Sequence, residues 1–192
     1  MQKIKYLIFI FLIPFLAGHT HAQEAGEGSG LNYTFLGPSL SASYSKVKYT
    51  DWIDDSTQTK DMSGYSFAGG IALAIFTKNL CGDFHLKYNY SQFDYAITFL
   101  EFSMSGKYLY FINDYISVGA GFGFYCETPP SSQEHNGAAG LQLPLTVIFN
   151  TTPDTKLFFD LLPRYGTFGI GENSKVISAG INVGFIYKVG RI

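Results

Sequence analysis

The chain has no run of 18 consecutive apolar residues, which excludes a membrane-spanning helix. Cysteine is scarce: Cys81 and Cys126 allow one disulfide at most and no zinc cluster. Charge is sparse as well, at 15% of residues with a formal net charge of -2, so there is no basic surface for nucleic acid. Nothing in the 192 residues reads as an interdomain linker, and one domain is expected. Against these shortages stand 21 Gly, 14 Tyr and 18 Phe. Such a composition describes a β-rich protein with an unusually apolar surface or core.

The first 22 residues read as a secretory signal. Lys3 and Lys5 precede an apolar run, Tyr6 to Leu16, broken at Pro14, and the small residues Ala17, Gly18 and Ala22 form the exit. Cleavage after Ala22 leaves Gln23 as the new N-terminus and, with two lysines gone, a formal charge of -4. Residues 23–30, rich in Gly, Ser and Glu, form a flexible lead, and residues 31–192 carry the fold.

Period-2 alternation dominates that remainder. Ile177, Ala179, Ile181, Val183, Phe185 and Tyr187 alternate with Ser178, Gly180, Asn182, Gly184 and Lys188, and only a strand separates two such sets onto opposite faces. Similar runs begin at Leu36, Tyr65, Asp83, Ala96, Ile116, Leu141 and Leu157, which gives eight strands. Short turns are expected at Thr77 to Leu80, Asn113-Asp114 and Thr151 to Thr155. Long polar loops are expected at 46–62, 126–137 and 166–175, with a brief one at 92–94. An even strand number with short turns at one end and mostly longer loops at the other is the pattern of an all-β, antiparallel up-and-down transmembrane barrel.

Alternation leaves the inward face undecided, because a soluble lipocalin-like carrier of an apolar ligand is also an eight-stranded barrel. Side-chain volume supplies the sign. Eight strands enclose only enough room for side chains, so the small set of Gly, Ser and Ala fits inside and the bulky uncharged set faces out. Tyr44, Tyr65, Tyr90, Tyr108, Tyr110, Tyr165 and Tyr187 fall near strand ends, as aromatic girdles do.

With its closing strand Ile181-Asn182-Val183-Gly184-Phe185-Ile186-Tyr187, the chain resembles the small outer-membrane barrels of Gram-negative-type bacteria, the OmpX and OmpA transmembrane-domain class. The resemblance covers 31–192 in architecture. It implies residence in outer-membrane lipid and insertion by the barrel assembly machinery, with Ile181, Val183, Phe185 and Tyr187 as the assembly signal. The chain departs from that class in ending Lys188-Val189-Gly190-Arg191-Ile192, without a terminal Phe or Trp.

The inward parity carries Asp83, His85, Lys87, Glu101, Lys107, Asp160, Arg164 and Lys188. Unpaired charge is costly in a narrow lumen, so these residues are expected to form a mixed-sign network that plugs it. A gated small pore lined by the same residues is the alternative. A lipid hydrolase built on His85 with Ser103 or Ser105 is a further one, but a nucleophile needs a base within reach and a third orienting group. No catalytic residue, cofactor or metal is expected. Asp51, Asp54, Asp55 and Asp61 lack the spacing of a calcium loop, and Gly119, Gly121 and Gly123 share one strand parity with no helix after them, so they make room inside the barrel. Extracellular or host ligands are expected at the loops. Cys81 and Cys126 are placed at opposite rims, roughly 25 Å apart, too far for a disulfide. Pro144 falls inside the sixth strand and is expected to mark a bulge, while Pro38 and Pro163 lie nearer strand ends.

Overall fold

The alternating segments form nine strand segments: β1 (Tyr33–Ile53), β2 (Ser56–Phe76), β3 (Leu80–Gln92), β4 (Ala96–Phe111), β5 (Ile116–Thr128), β6 (Ala138–Gln142), β7 (Leu145–Thr152), β8 (Thr155–Phe168) and β9 (Lys175–Arg191). They are seen in a computed structural model that describes residues 32–53, 56–93, 96–128, 137–168 and 174–191. The expected signal at 1–22 and lead at 23–30 lie outside the described residues. Each strand pairs antiparallel with its neighbours, and β1 pairs with β9 to close the ring. β6 and β7 both lie between β5 and β8 and are two halves of one stave, so the ring has eight staves. Among the described residues no helix is long and apolar enough to cross a membrane.

Pro144 interrupts its stave without a bulge, contrary to the expectation. On one side Gly123 pairs with Gln142 and Ala120 with Leu145; on the other Gln142 pairs with Arg164 and Leu145 with Leu161. Both registers therefore run through Leu143 and Pro144 unchanged. The Gly121 N–H still donates to the Pro144 carbonyl at 2.9 Å, and the Leu143 N–H to the Pro163 carbonyl at 3.0 Å. The physical reason is a difference in cost. Losing one ladder bond costs about 1 kcal/mol, whereas a one-residue slip would turn every later side chain to the wrong face. Pro163, expected nearer a strand end, lies in mid-β8 opposite Ala179 and is tolerated in the same way. The one irregularity in the closing pair is at its end, between Thr34 and Phe35.

The expected long loop at 46–62 is strand instead. β1 and β2 stay paired from Tyr33↔Phe76 to Ile53↔Ser56, while β9 leaves β1 after Lys48 and β3 joins β2 only at Tyr65. A two-stranded arm thus extends past its neighbours. At the opposite end the three tight turns lie where expected. The Asn113 side-chain oxygen accepts from the Tyr115 and Ile116 N–H groups at 2.9 and 2.8 Å, and the Thr77 N–H donates to the Leu80 carbonyl at 2.8 Å. The Thr152 and Thr155 hydroxyls meet at 2.6 Å around Pro153-Asp154.

The bulky parity faces outward on every stave. Leu40 is 67% exposed, Phe67 63% and Ile177 60%, and Leu86, Phe102, Phe122, Leu145 and Leu161 continue the apolar band around the ring. Tyr44, Tyr65, Tyr90 and Tyr165 border it toward the loop end, and Tyr108, Tyr110, Tyr115 and Tyr187 toward the turn end. From Ile177 to Tyr187 the band follows β9 for about 34 Å of strand, or ~25 Å of height at a barrel strand's tilt.

Candidate functional site

The inward parity fills the barrel in three layers. At the turn end Phe35, Ala72, Ala74, Cys81, Leu109, Ile148, Phe158 and Ile186 form an apolar cluster, and at the loop end Val47, Tyr125, Ala138 and Val176 form another. Between them lies the charged layer. Aromatic lids separate the layers: the Phe158 ring sits 5.8 Å from that of His85 and 6.0 Å from the Lys107 ammonium, and the Tyr125 ring lies 4.8 Å under the Arg164 guanidinium. Glycine makes this possible. The Phe158 ring fills the space that a side chain at Gly184, its partner on β9, would need, and Lys107 fills that of Gly121.

The charged layer holds two connected groups. In the first, the Lys107 ammonium bridges Asp83 at 2.5 Å and Asp160 at 2.7 Å. Ser105 donates to Asp83 at 2.5 Å, and the Asn182 amide donates to Asp160 at 3.0 Å. Lys87 donates to the Asn182 carbonyl oxygen at 2.9 Å. In the second, Arg164 pairs with Glu101 at 2.6 Å and approaches Glu127 at 3.8 Å, while Asn89 donates to Glu101 at 3.4 Å. Lys87, Glu101 and Asp160 are each only 1% exposed. At such burial an ion needs an opposite partner and its remaining donors or acceptors satisfied; Glu101 and Asp160 have theirs in Arg164 and Lys107, whereas Lys87 bonds to the neutral Asn182 side chain.

Seven of the eight residues expected in the lumen, Asp83, His85, Lys87, Glu101, Lys107, Asp160 and Arg164, meet there. Lys188 does not and is the correction: its side chain is 30% exposed at the turn end, 3.4 Å from Asp154 and 4.0 Å from the Tyr33 ring. Its parity is inward, but β9 has by then passed the charged layer. Asn89, Asn182 and Glu127 belong to the network and were missed as site residues. Asn89 and Asn182 share the charged parity, so alternation was a sufficient signal had neutral side chains been counted. Glu127 follows Gly123 and Tyr125 on the inward parity of β5, which runs on into the residues expected to be loop.

The chemistry open to this layer is limited. Asp83, His85 and Asp160 present oxygen and nitrogen atoms within 4.8 Å of one another, a spacing suited to a cation, yet the Lys107 ammonium already bridges the two carboxylates. Ser103 lies opposite His85 in register, and Ser105 is committed to Asp83. The His85 imidazole lies 3.7 Å from Asp83. Among the described residues no serine is hydrogen-bonded to the imidazole as a nucleophile would be to its base. Two voids along the inner wall measure about 10 Å³ each, about the size of one water. Cys81 is buried in the turn-end cluster and Cys126 is exposed on the outer face, both as free thiols. Register places Cys81 level with Gly121, five residues along β5 from Cys126.

No family model matches the chain, and neither does any curated protein. Solved structures do resemble it. Neisserial surface protein A aligns over 85% of this chain and all of its own, at 17% identity and a TM-score of 0.50. The attachment invasion locus protein Ail of Yersinia pestis aligns over 81% of this chain and 99% of its own, at 19% identity and a TM-score of 0.37. The outer membrane protein OprG of Pseudomonas aeruginosa covers 82% and 96%, at 14% and 0.37. With its closed ring of eight antiparallel staves and its likeness to Neisserial surface protein A, this chain has the fold of the small eight-stranded outer-membrane β-barrels.

Proposed function

We propose that this protein is a non-enzymatic barrel of the outer membrane, which closes its own lumen and presents its loop end at the cell surface for adhesive or other contacts. One observation carries the reading: the outward face of every stave is apolar while the charges are gathered and paired inside. Exposed apolar patches on soluble monomers rarely exceed a few hundred Å², and a band around the whole ring suits hydrocarbon. The lipocalin-like alternative requires the reverse arrangement, an apolar lumen around a ligand. A pore is disfavoured by the 10 Å³ voids and by aromatic lids on both sides of the charged layer.

The partners proposed are outer-membrane lipid along the apolar band, the barrel assembly machinery at the outward residues Ile181, Val183, Phe185 and Tyr187 of β9, and an extracellular ligand at 46–62, 126–137 and 166–175. Neisserial surface protein A is by its name a surface protein, which accords with this reading. Cell fractionation followed by gel mobility with and without boiling tests it. Outer-membrane recovery with a heat-dependent mobility shift is expected; recovery as a soluble protein without detergent would overturn it.

A further inference from the structure

A cavity of about 310 Å³ opens at the turn end of the barrel, below the apolar cluster. Its floor is Phe35, Leu109 and Ile148, all buried, and its wall includes Phe76, whose ring meets that of Phe35 edge to face at 5.2 Å. The volume is at the lower end of the range for small-molecule sites, and an apolar lining with few convergent polar groups is their usual composition. Lys156 and Lys188 are the cations that reach it.

These two lysines are not equivalent. Lys188 is matched by Asp154 at 3.4 Å. Lys156 is half-buried, and its ammonium stands 5.1 Å from the Phe35 ring centroid and 5.2 Å from that of Phe76. Among the described residues its polar partner is the neutral side-chain oxygen of Asn150, at 2.5 Å. Among the described residues no carboxylate pairs with it. An ammonium carries three donors, so Lys156 keeps capacity for an acceptor. Lys188 has its opposite charge in Asp154, so Lys156 is the cation at the mouth that an anionic ligand head would complete.

We propose that this cavity binds a small apolar carboxylate, its head paired with Lys156 and its hydrocarbon body lying against Phe35, Phe76, Leu109 and Ile148. The site stands apart from the charged lumen layer and does not depend on the loops. Titration calorimetry on the mature protein, refolded in a non-ionic detergent at low salt, tests it with 3-phenylpropionate as the probe. Saturable one-to-one binding is expected. Acetate, which lacks the body, and 3-phenylpropanol, which lacks the charge, should each bind about tenfold or more weakly, as should 3-phenylpropionate to Lys156→Met. Lys156→Arg should retain binding. Heat-dependent gel mobility verifies that each variant is folded, and the comparison of probes on the unaltered protein decides the matter even where a variant fails. Equal affinity for 3-phenylpropionate and 3-phenylpropanol, undiminished binding to Lys156→Met, or no saturable binding to the unaltered protein would overturn the proposal.

Discussion

Lys107 shows what a single side chain does in this barrel. Among the described residues its ammonium is the one group that bonds to both the Asp83 and Asp160 carboxylates. Lys107→Met removes it while keeping most of the stem that packs into the space beside Gly121, and two buried carboxylates are left facing each other. A loss of about 3–5 kcal/mol is expected, read as a lower urea midpoint in refolding-competent micelles. The triple variant Lys107→Met, Asp83→Asn, Asp160→Asn should recover most of it, because it removes the uncompensated charge as well. A triple variant as unstable as the single one would show that Lys107 acts by packing alone. At this scale the alternation in β3, β4 and β8 marked which charges point inward. It did not say that Lys107 pairs with Asp160, 53 positions away, or that Lys188 falls beyond the charged layer. Those outcomes depend on how far each strand is displaced along its neighbour.

Among the elements, β1 and β2 depart most from expectation. Their residues between 46 and 62 are mostly polar, which predicts a loop, yet the two strands remain paired to Ile53↔Ser56. A strand needs an apolar face only where it covers a core, and among the described residues no third strand pairs with the hairpin past Lys48 and Tyr65. Two-stranded pairing continues from the register already set below. The arm is therefore dispensable for closure. Replacing residues 49–60 with Asn-Gly leaves Lys48 and Asp61, already partners, flanking a two-residue hairpin turn of the favoured kind. The shortened protein should refold and keep its heat-dependent mobility shift; loss of that shift would show that the arm is needed for closure. Pro144 makes the complementary point. Its missing N–H was legible in the sequence, but only the strands on both sides, each holding register through the gap, decide that no bulge forms.

For the whole molecule the question is whether the barrel conducts. Apolar clusters close both ends of the charged layer, and within it Lys107 is paired with Asp83 and Asp160 and Arg164 with Glu101. Transfer of an ion would require parting pairs whose members are almost wholly buried, and the desolvation of each is costly. Planar-bilayer recordings of the purified protein should show no steady conductance. A stable open level would reject the plugged lumen and favour the gated pore. Side-chain volume predicts a lumen of small and polar residues, yet bulky apolar side chains fill both of its ends. Phe158 and Tyr125 enter it because Gly184 on the adjoining strand and Gly166 two staves away leave room, and neither glycine is near its aromatic in sequence.

Strand number, face alternation and the three tight turns were determined by the sequence itself, because each is local: alternation needs only period 2, and a turn only a few neighbouring residues. The inward sign also followed from sequence, since side-chain volume must match what eight staves enclose. Tertiary structure alone decided the ion-pair partners, the continuity of register through Pro144, the hairpin arm and the cavity beneath Lys156. Each of these depends on the relative displacement of strands that close into a ring, a property of pairs of segments that no one segment contains.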